Sequence, residues 1–512
     1  MDYKTYQDFL KNFDLSDRWG IFDGYKDNLN IAHECVDRHP REKTAIRLKF
    51  DDGRLETYTF GELSRLTSQF ANMLERAGVN AGDPVAIILN PSLEFYVSLF
   101  GTLKRGAVVV SCSPLFGPEA IEYRVNSANA KMIIIHRDNL DLIRDGLAPN
   151  IVTAEELGER LQSEETGYQI NTSASTLAFL QFSSGTTGVP KAVEYGHKAV
   201  TMAAIHVKYG IGLREDDIYF CPSSPAWGMG IWYGTIGPLI FGNAIGGYSG
   251  RFDAGCLIEA LDELQVTNVF AAPLVYRRIM ESDRLNDYHL KLRRMTYTGG
   301  KLDMDVIQFY QERFGIVIQS CYGSTEVGVI LADYAFDDWT VKPGSLGKPL
   351  PTGKVAIINE EDNELSQGEV GAVAVKFPVG WVRVGDAAYV DENGYFWYRS
   401  RIDDIIISAG YTIGPIEIEN VLEKHPAVSE AAVVGSPDKE RGEIVKAFII
   451  PNREPTEELK LEIREFVKTG LSKHEYPRDI EFVDELPKTP DGKIKRKELR
   501  KREYEKAGLE LD

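Results

Sequence analysis

From Phe182 to Lys191 the chain reads Phe-Ser-Ser-Gly-Thr-Thr-Gly-Val-Pro-Lys. Ser183, Ser184, Thr186 and Thr187, together with closely spaced backbone N–H groups, can surround an anion with hydrogen-bond donors. Gly185 and Gly188 let the backbone come close to a ligand, and Lys191 adds a point charge. The chemistry such a stretch offers is the holding of phosphate. The phosphate-loop pattern G-x-x-x-x-G-K-[ST] does not describe it, because Pro190 precedes the lysine, Ala192 follows it and the glycines are spaced differently.

A second group lies further on, at Tyr322-Gly323-Ser324-Thr325-Glu326. Beside a phosphate loop it offers an aromatic face for a base, hydroxyls for a phosphate oxygen and a carboxylate suited to Mg²⁺. The net charge of −19 argues against affinity for nucleic acid or anionic membranes, so positive charge must be concentrated locally. The five cysteines, at 35, 112, 221, 256 and 321, form no C-x-x-C pair, which fits a reducing cytoplasm and no zinc or disulfide framework. The N-terminus has no signal-peptide core, and the longest apolar stretch, 231–247, is broken by Gly234, Gly237, Pro238 and Gly242; no membrane span is expected.

The ten residues from Phe182 resemble the signature of the acyl-adenylate-forming (AMP-binding) superfamily, and five further motifs follow in the family's order. The resemblance implies that Thr186 and Glu326 act in catalysis, with Glu326 on the metal, and that Cys321, Tyr322, Gly323, Ser324 and Thr325 meet the nucleotide. Gly299-Gly300-Lys301-Leu302 matches the segment whose backbone lines the adenine, with no role implied for the Lys301 side chain. Asp386 and Arg401 match the residues that meet the ribose, and Asp403 the hinge about which a small domain rotates. The closing run Pro487-Lys488-Thr489-Pro490-Asp491-Gly492-Lys493 places Lys493 where the family has a lysine that reaches across the domain gap. The physical need is plain: a carboxylate attacking the α-phosphate of ATP is repelled by like charge, and the transition state gathers more; a cation between them offsets both.

Within the superfamily the chain looks like an acyl-CoA synthetase using ATP, Mg²⁺ and coenzyme A. Ser408-Ala409-Gly410-Tyr411 resembles the segment lining the pantetheine tunnel, and Lys439, Arg441 and Lys446 are candidates for the CoA phosphates. Two departures stand out: Thr412 where many relatives have arginine, and Ile407 where lysine is frequent. The segment Ser223–Gly230 holds no carboxylate to fix an amino group, which argues against an amino-acid-activating module. Trp227 and Gly228, with Gly299 and Val327, are expected to bound the acyl pocket; Trp227 is read either as its wall or as a core residue. The segment Ser113–Ala120 and Trp227-Gly228 look like the branch acting on aromatic, alicyclic (benzoate- or cyclohexanecarboxylate-type) or medium and branched acids. A small carboxylic acid is thus the expected partner, in a cytoplasmic monomer or homodimer. The rivals are an enzyme that loads a separate carrier protein and a non-catalytic nucleotide sensor.

The elements that must position these residues alternate. Strands are expected at 84–89, 130–135, 176–181, 216–221, 266–271 and 317–321, with helices over 63–74 and 95–103 and a polar connector over 156–173. This predicts an α/β fold: a large domain of βα-layered sheets over residues 1–402, and a small mobile α+β domain over 403–512 with helices at 416–424 and 461–471. The basic run 493–502 is expected to be a solvated helix face apart from Lys493.

Overall fold

A computed structural model describes residues 3–183, 191–300, 302–324, 327–408, 411–438, 441–470, 476–489 and 493–509. The chain divides into two compact units, Met1–Thr352 and Gly353–Asp512.

The first unit is built on two sheets. One has six strands in the order Asn150–Thr153, Met132–Ile135, Pro84–Ile88, Val108–Cys112, Leu177–Ser183 and Lys191–Gly196, all parallel except the last. Its central strands are buried on both faces, as βαβ crossovers require, and so read as continuous runs of Val and Ile. The crossover helix Leu93–Arg105 starts on the Ser92 side chain, which accepts from the Phe95 N–H, and stops at Gly106, which turns left-handed at φ +74°. The helix Phe60–Arg76 begins with a reciprocal cap between Thr59 and Glu62 and buries Leu63, Phe70 and Leu74 on one face.

The second sheet has nine strands, in the order Lys348–Pro349, Gly328–Ala332, Gln319–Ser324, Arg294–Tyr297, Asn268–Ala271, Ile218–Phe220, Ala244–Ser249, Thr44–Phe50 and Leu55–Thr59. The strands from Gln319–Ser324 to Thr44–Phe50 run parallel.

One sequence expectation is corrected here. The stretch read as a connector from 156 is helical to Gln162: Leu157 and Leu161, four apart, supply a buried stripe that its polar composition hides. The apolar stretch 231–247 is a π-helix (Met229–Ile236), a short helix (Gly237–Ile240) and a strand. Its glycines allow close approach, since a Cβ on Gly230 would stand 2.3 Å from the Ser224 carbonyl oxygen. Among the described residues no helix is long and apolar enough to cross a membrane.

The second unit holds an antiparallel sheet of four strands over 354–401 and a five-stranded sheet of Ile406–Ser408, Tyr411–Ile413, Val428–Asp438, Gly442–Pro451 and Asp479–Phe482, packed with the helices Pro415–Leu422, Glu457–Gly470 and Arg496–Lys506. The 3₁₀ turn Ile402–Asp404 joins the first of these sheets to the second, within the second unit rather than between the two units.

Candidate active site

In the first unit the expected motifs leave the C-terminal ends of parallel strands, the edge at which open α/β sheets bind ligands. Ser183 ends Leu177–Ser183, and Ser113–Gly117 leaves the neighbouring strand Val108–Cys112. On the other sheet Tyr322, Gly323 and Ser324 end one strand, Gly299-Gly300 follow its neighbour Arg294–Tyr297, and Ser223–Gly228 follow Ile218–Phe220. The Ser111 hydroxyl donates to the Pro225 carbonyl at 2.9 Å and ties the two edges together.

Ser184, Gly185, Thr186, Thr187, Gly188, Lys301, Thr325, Glu326, Gly410 and Lys439 lie outside the described residues. Lys191, exposed, opens the strand paired with Ser183. Gly323 is fixed by space: a Cβ there would meet the Gly328 carbonyl oxygen at 1.9 Å, where the strand register shifts. Among the described residues the Ser324 hydroxyl is buried without a hydrogen-bond partner, as a group awaiting a polar ligand would be. Gly299 turns at φ +86°, Gly300 faces Pro273, and Leu302 is buried in the core beneath them. Val327 is half-buried in the turn before Gly328. Among the described residues no group of three His, Cys, Asp or Glu side chains could hold a metal.

Trp227 is not a core tryptophan. It is 44% exposed and meets Phe116 edge-on, with ring centroids 5.4 Å apart; the preceding Leu115 is 84% exposed. Gly228 immediately precedes the π-helix as its N-cap, and a Cβ on it would lie 3.8 Å from the Gln181 amide. Gln181, which the sequence did not single out, is buried and accepts from the Trp232 indole N–H at 3.1 Å. The next residue, Tyr233, accepts from the Val329 N–H at 3.1 Å, so adjacent residues of one π-helical turn brace the strand before Ser183 and the strand after Val327. Such π turns recur at functional sites. Cys321 is buried, its thiol pushed up by that burial, and its Sγ stands 2.9 Å from His206 Nε2. Burial likewise lowers the His206 imidazole to about 3.

In the second unit Asp386 and Arg401 are cross-strand partners, with Nη1 to Oδ1 at 3.2 Å. Gly385, at φ +81°, leaves room for that guanidinium, since a Cβ would meet Nη2 at 2.9 Å. Asp403 lies in the 3₁₀ turn between the two sheets. Ile407 and Thr412, the two departures noted in the sequence, are register partners across a hairpin. Lys493 is exposed and is held by its backbone: its N–H donates to Thr489 Oγ1 at 3.0 Å, and its carbonyl accepts from the Thr489 N–H at 2.8 Å. Arg441 donates its N–H to Asp438 at 2.9 Å in the turn before Gly442. Lys446 is buried 2.8–3.1 Å from Asp479, Glu481 and Glu503. Burial opposes its charge, but the hydrogen bonds to Glu481, Glu503 and Asp479 outweigh this and hold the ammonium above its ordinary value. A phosphate arriving there would face three carboxylates. The basic run is not wholly solvated either: Arg496 is half-buried against Glu419, with Asp404 3.8 Å away.

The model of the AMP-binding enzyme family matches residues 32–381, and that of the AMP-binding enzyme C-terminal domain matches 417–493. The chain is 34% identical to acetyl-coenzyme A synthetase of Bacillus subtilis over 97% of this chain and 95% of that one. Among solved structures it is similar to an acyl-CoA synthetase of Brucella canis (32% identity, TM-score 0.78, 99% of this chain and all of that one). It is also similar to the anthranilate CoA ligase AuaEII with anthranoyl-AMP (27% identity, TM-score 0.85, 97% of this chain and all of that one). The chain belongs to the AMP-binding enzyme family, among its acyl-CoA synthetases.

Proposed function

We propose that this chain is an AMP-forming ligase for a compact carboxylic acid, either aromatic or alicyclic or of medium or branched chain, and that it joins the acid to coenzyme A through an acyl-adenylate. ATP, Mg²⁺ and coenzyme A are its cofactors. The observation that carries the acid class is the half-exposed Trp227 indole set edge-on to Phe116 where two sheet edges meet, with Gly228 leaving space beside Gln181. A flat aromatic wall next to a position without a side chain suits a ring or a short branched chain better than a long tail, which needs an open tunnel.

The 183–191 loop holds the phosphates, Tyr322 and the Gly299–Leu302 segment take the base, and Asp386 with Arg401 takes the ribose hydroxyls. When bound with ATP, Mg²⁺ draws charge from the leaving pyrophosphate. Lys493 places its cation between the attacking carboxylate and the α-phosphate, and the Ile402–Asp404 turn serves as the hinge between the two half-reactions. One phosphoanhydride is broken and one thioester is made. Five free cysteines support a reducing, cytoplasmic setting.

The test is CoA-dependent AMP formation across acetate, butyrate, octanoate, benzoate, cyclohexanecarboxylate and several amino acids. A preference for a ring or medium chain is expected. Acetate as the best substrate would overturn the acid class, and pyrophosphate release indifferent to CoA would overturn the ligase in favour of a carrier-loading enzyme.

A further inference from the structure

Arg124 sits on the helix Pro118–Ala128, which follows the loop 113–117. The residue is only 9% exposed, and its guanidinium is clamped between two aromatic rings, 4.2 Å from the centroid of Phe116 and 5.7 Å from that of Phe182. Nη1 donates to the Ala120 carbonyl at 2.7 Å. Among the described residues no carboxylate pairs with it, although the chain carries 77 acidic side chains. Arg38, Arg293 and Arg496, also partly withdrawn from water, each meet one, Glu34, Asp217 and Glu419, whereas Arg294 donates to the Gly210 carbonyl instead. Stacking between rings explains where the guanidinium is held, but the rings supply no full opposite charge, and a cation removed from water is best offset by one.

Its location supplies the candidate. Phe116 leaves the C-terminal end of Val108–Cys112, and Phe182 is the last apolar residue before Ser183 on the adjacent parallel strand. Arg124 thus lies at the ligand-binding edge of the six-stranded sheet, between the loop bearing the aromatic partner of Trp227 and the strand that enters the phosphate stretch. We infer that Arg124 is an oxyanion-binding residue that meets the polyphosphate of the nucleotide, and the pyrophosphate released from it, as the missing counter-ion. The inference rests on the reading above that the 183–191 stretch holds phosphate. A guanidinium fork suits two phosphate oxygens at once, and aromatic rings on either side fix its plane beforehand.

The test uses the full chain with Mg²⁺ and inorganic pyrophosphate, titrated calorimetrically, so that it reads binding without turnover. Arg124→Gln is expected to weaken pyrophosphate about ten- to a hundredfold and to raise the KM for ATP similarly, with the KM for the acid unchanged. Arg124→Lys, which keeps the charge but loses the fork, is expected to fall between the two and carries the test if the glutamine variant does not fold. Unchanged pyrophosphate affinity in either folded variant would overturn the assignment. So would a loss confined to the acid's KM, which would put the anion on the acid. If the wild-type chain adenylated no acid while Arg124→Gln still lost pyrophosphate, the ligase reading would fail and the anion site would stand.

Discussion

Arg496 and Glu419, 77 residues apart, lock together through two hydrogen bonds, Nε to Oε1 at 2.9 Å and Nη2 to Oε2 at 2.5 Å. Glu419 Oε1 also accepts from the buried Val433 N–H at 2.7 Å, so one carboxylate joins the helix Pro415–Leu422, the strand Val428–Asp438 and the helix that starts three residues after Lys493. Replacing one partner of a buried pair leaves the other charge uncompensated, at a cost of about 3–5 kcal/mol. Arg496→Met is therefore expected to destabilise the second unit on that scale and to open the Val433 amide to hydrogen exchange. Protection of that amide as strong as in the wild type would refute the role.

Lys493 is expected to act on the chemical step. Lys493→Ala should abolish acid-dependent exchange of pyrophosphate into ATP, a loss of at least about a hundredfold, while ATP binding measured directly stays within about twofold. Retained exchange would remove the lysine from the mechanism.

What the sequence made legible was local. Hydrophobic periodicity sets most strands and helices, and the family's motifs are runs of contiguous residues. Pairings between distant residues were hidden. Gln181 looked like any strand residue until Trp232 was brought to it, and Arg124 had no sequence neighbour to mark it. Lys446 was read with Lys439 and Arg441 as a basic cluster because its three carboxylates come from 479, 481 and 503. Arg496 was read as solvated because Glu419 lies in another helix.

Acid should destabilise the first unit through its buried histidines. His197 and His206 are both lowered by burial to about 3, against about 6.5 in an unfolded chain. A folded-state value below the unfolded one means that their contribution is whole above pH 6.5 and is lost as pH falls from 6.5 towards 3, by roughly 5 kcal/mol each at the acid limit. Asp333, raised by burial to about 6, works the other way: its contribution is whole below about pH 4 and is lost as pH rises through 6. Two imidazoles outweigh one carboxylate, so stability falls on acidification. His206→Gln should remove about one proton from the slope of unfolding free energy against pH between 6 and 4, read from urea midpoints. An unchanged slope would contradict the shift assigned to His206.

Gly323 and Gly228 are expected to respond oppositely to the same substitution. At Gly323 a methyl group would fall 1.9 Å from the Gly328 carbonyl oxygen, in backbone that no rotamer change relieves. Gly323→Ala should therefore distort the Tyr322 motif and cost both nucleotide binding and several °C of thermal stability. At Gly228 the backbone is helical, at φ −54°, and a methyl group would rest in ordinary contact 3.8 Å from Gln181. Gly228→Ala should then keep the wild-type melting temperature and the KM for ATP while raising the KM for a ring acid about tenfold, with smaller acids affected less. A variant equally good with rings and short acids would show that the space beside Gly228 is not where the acyl group lies.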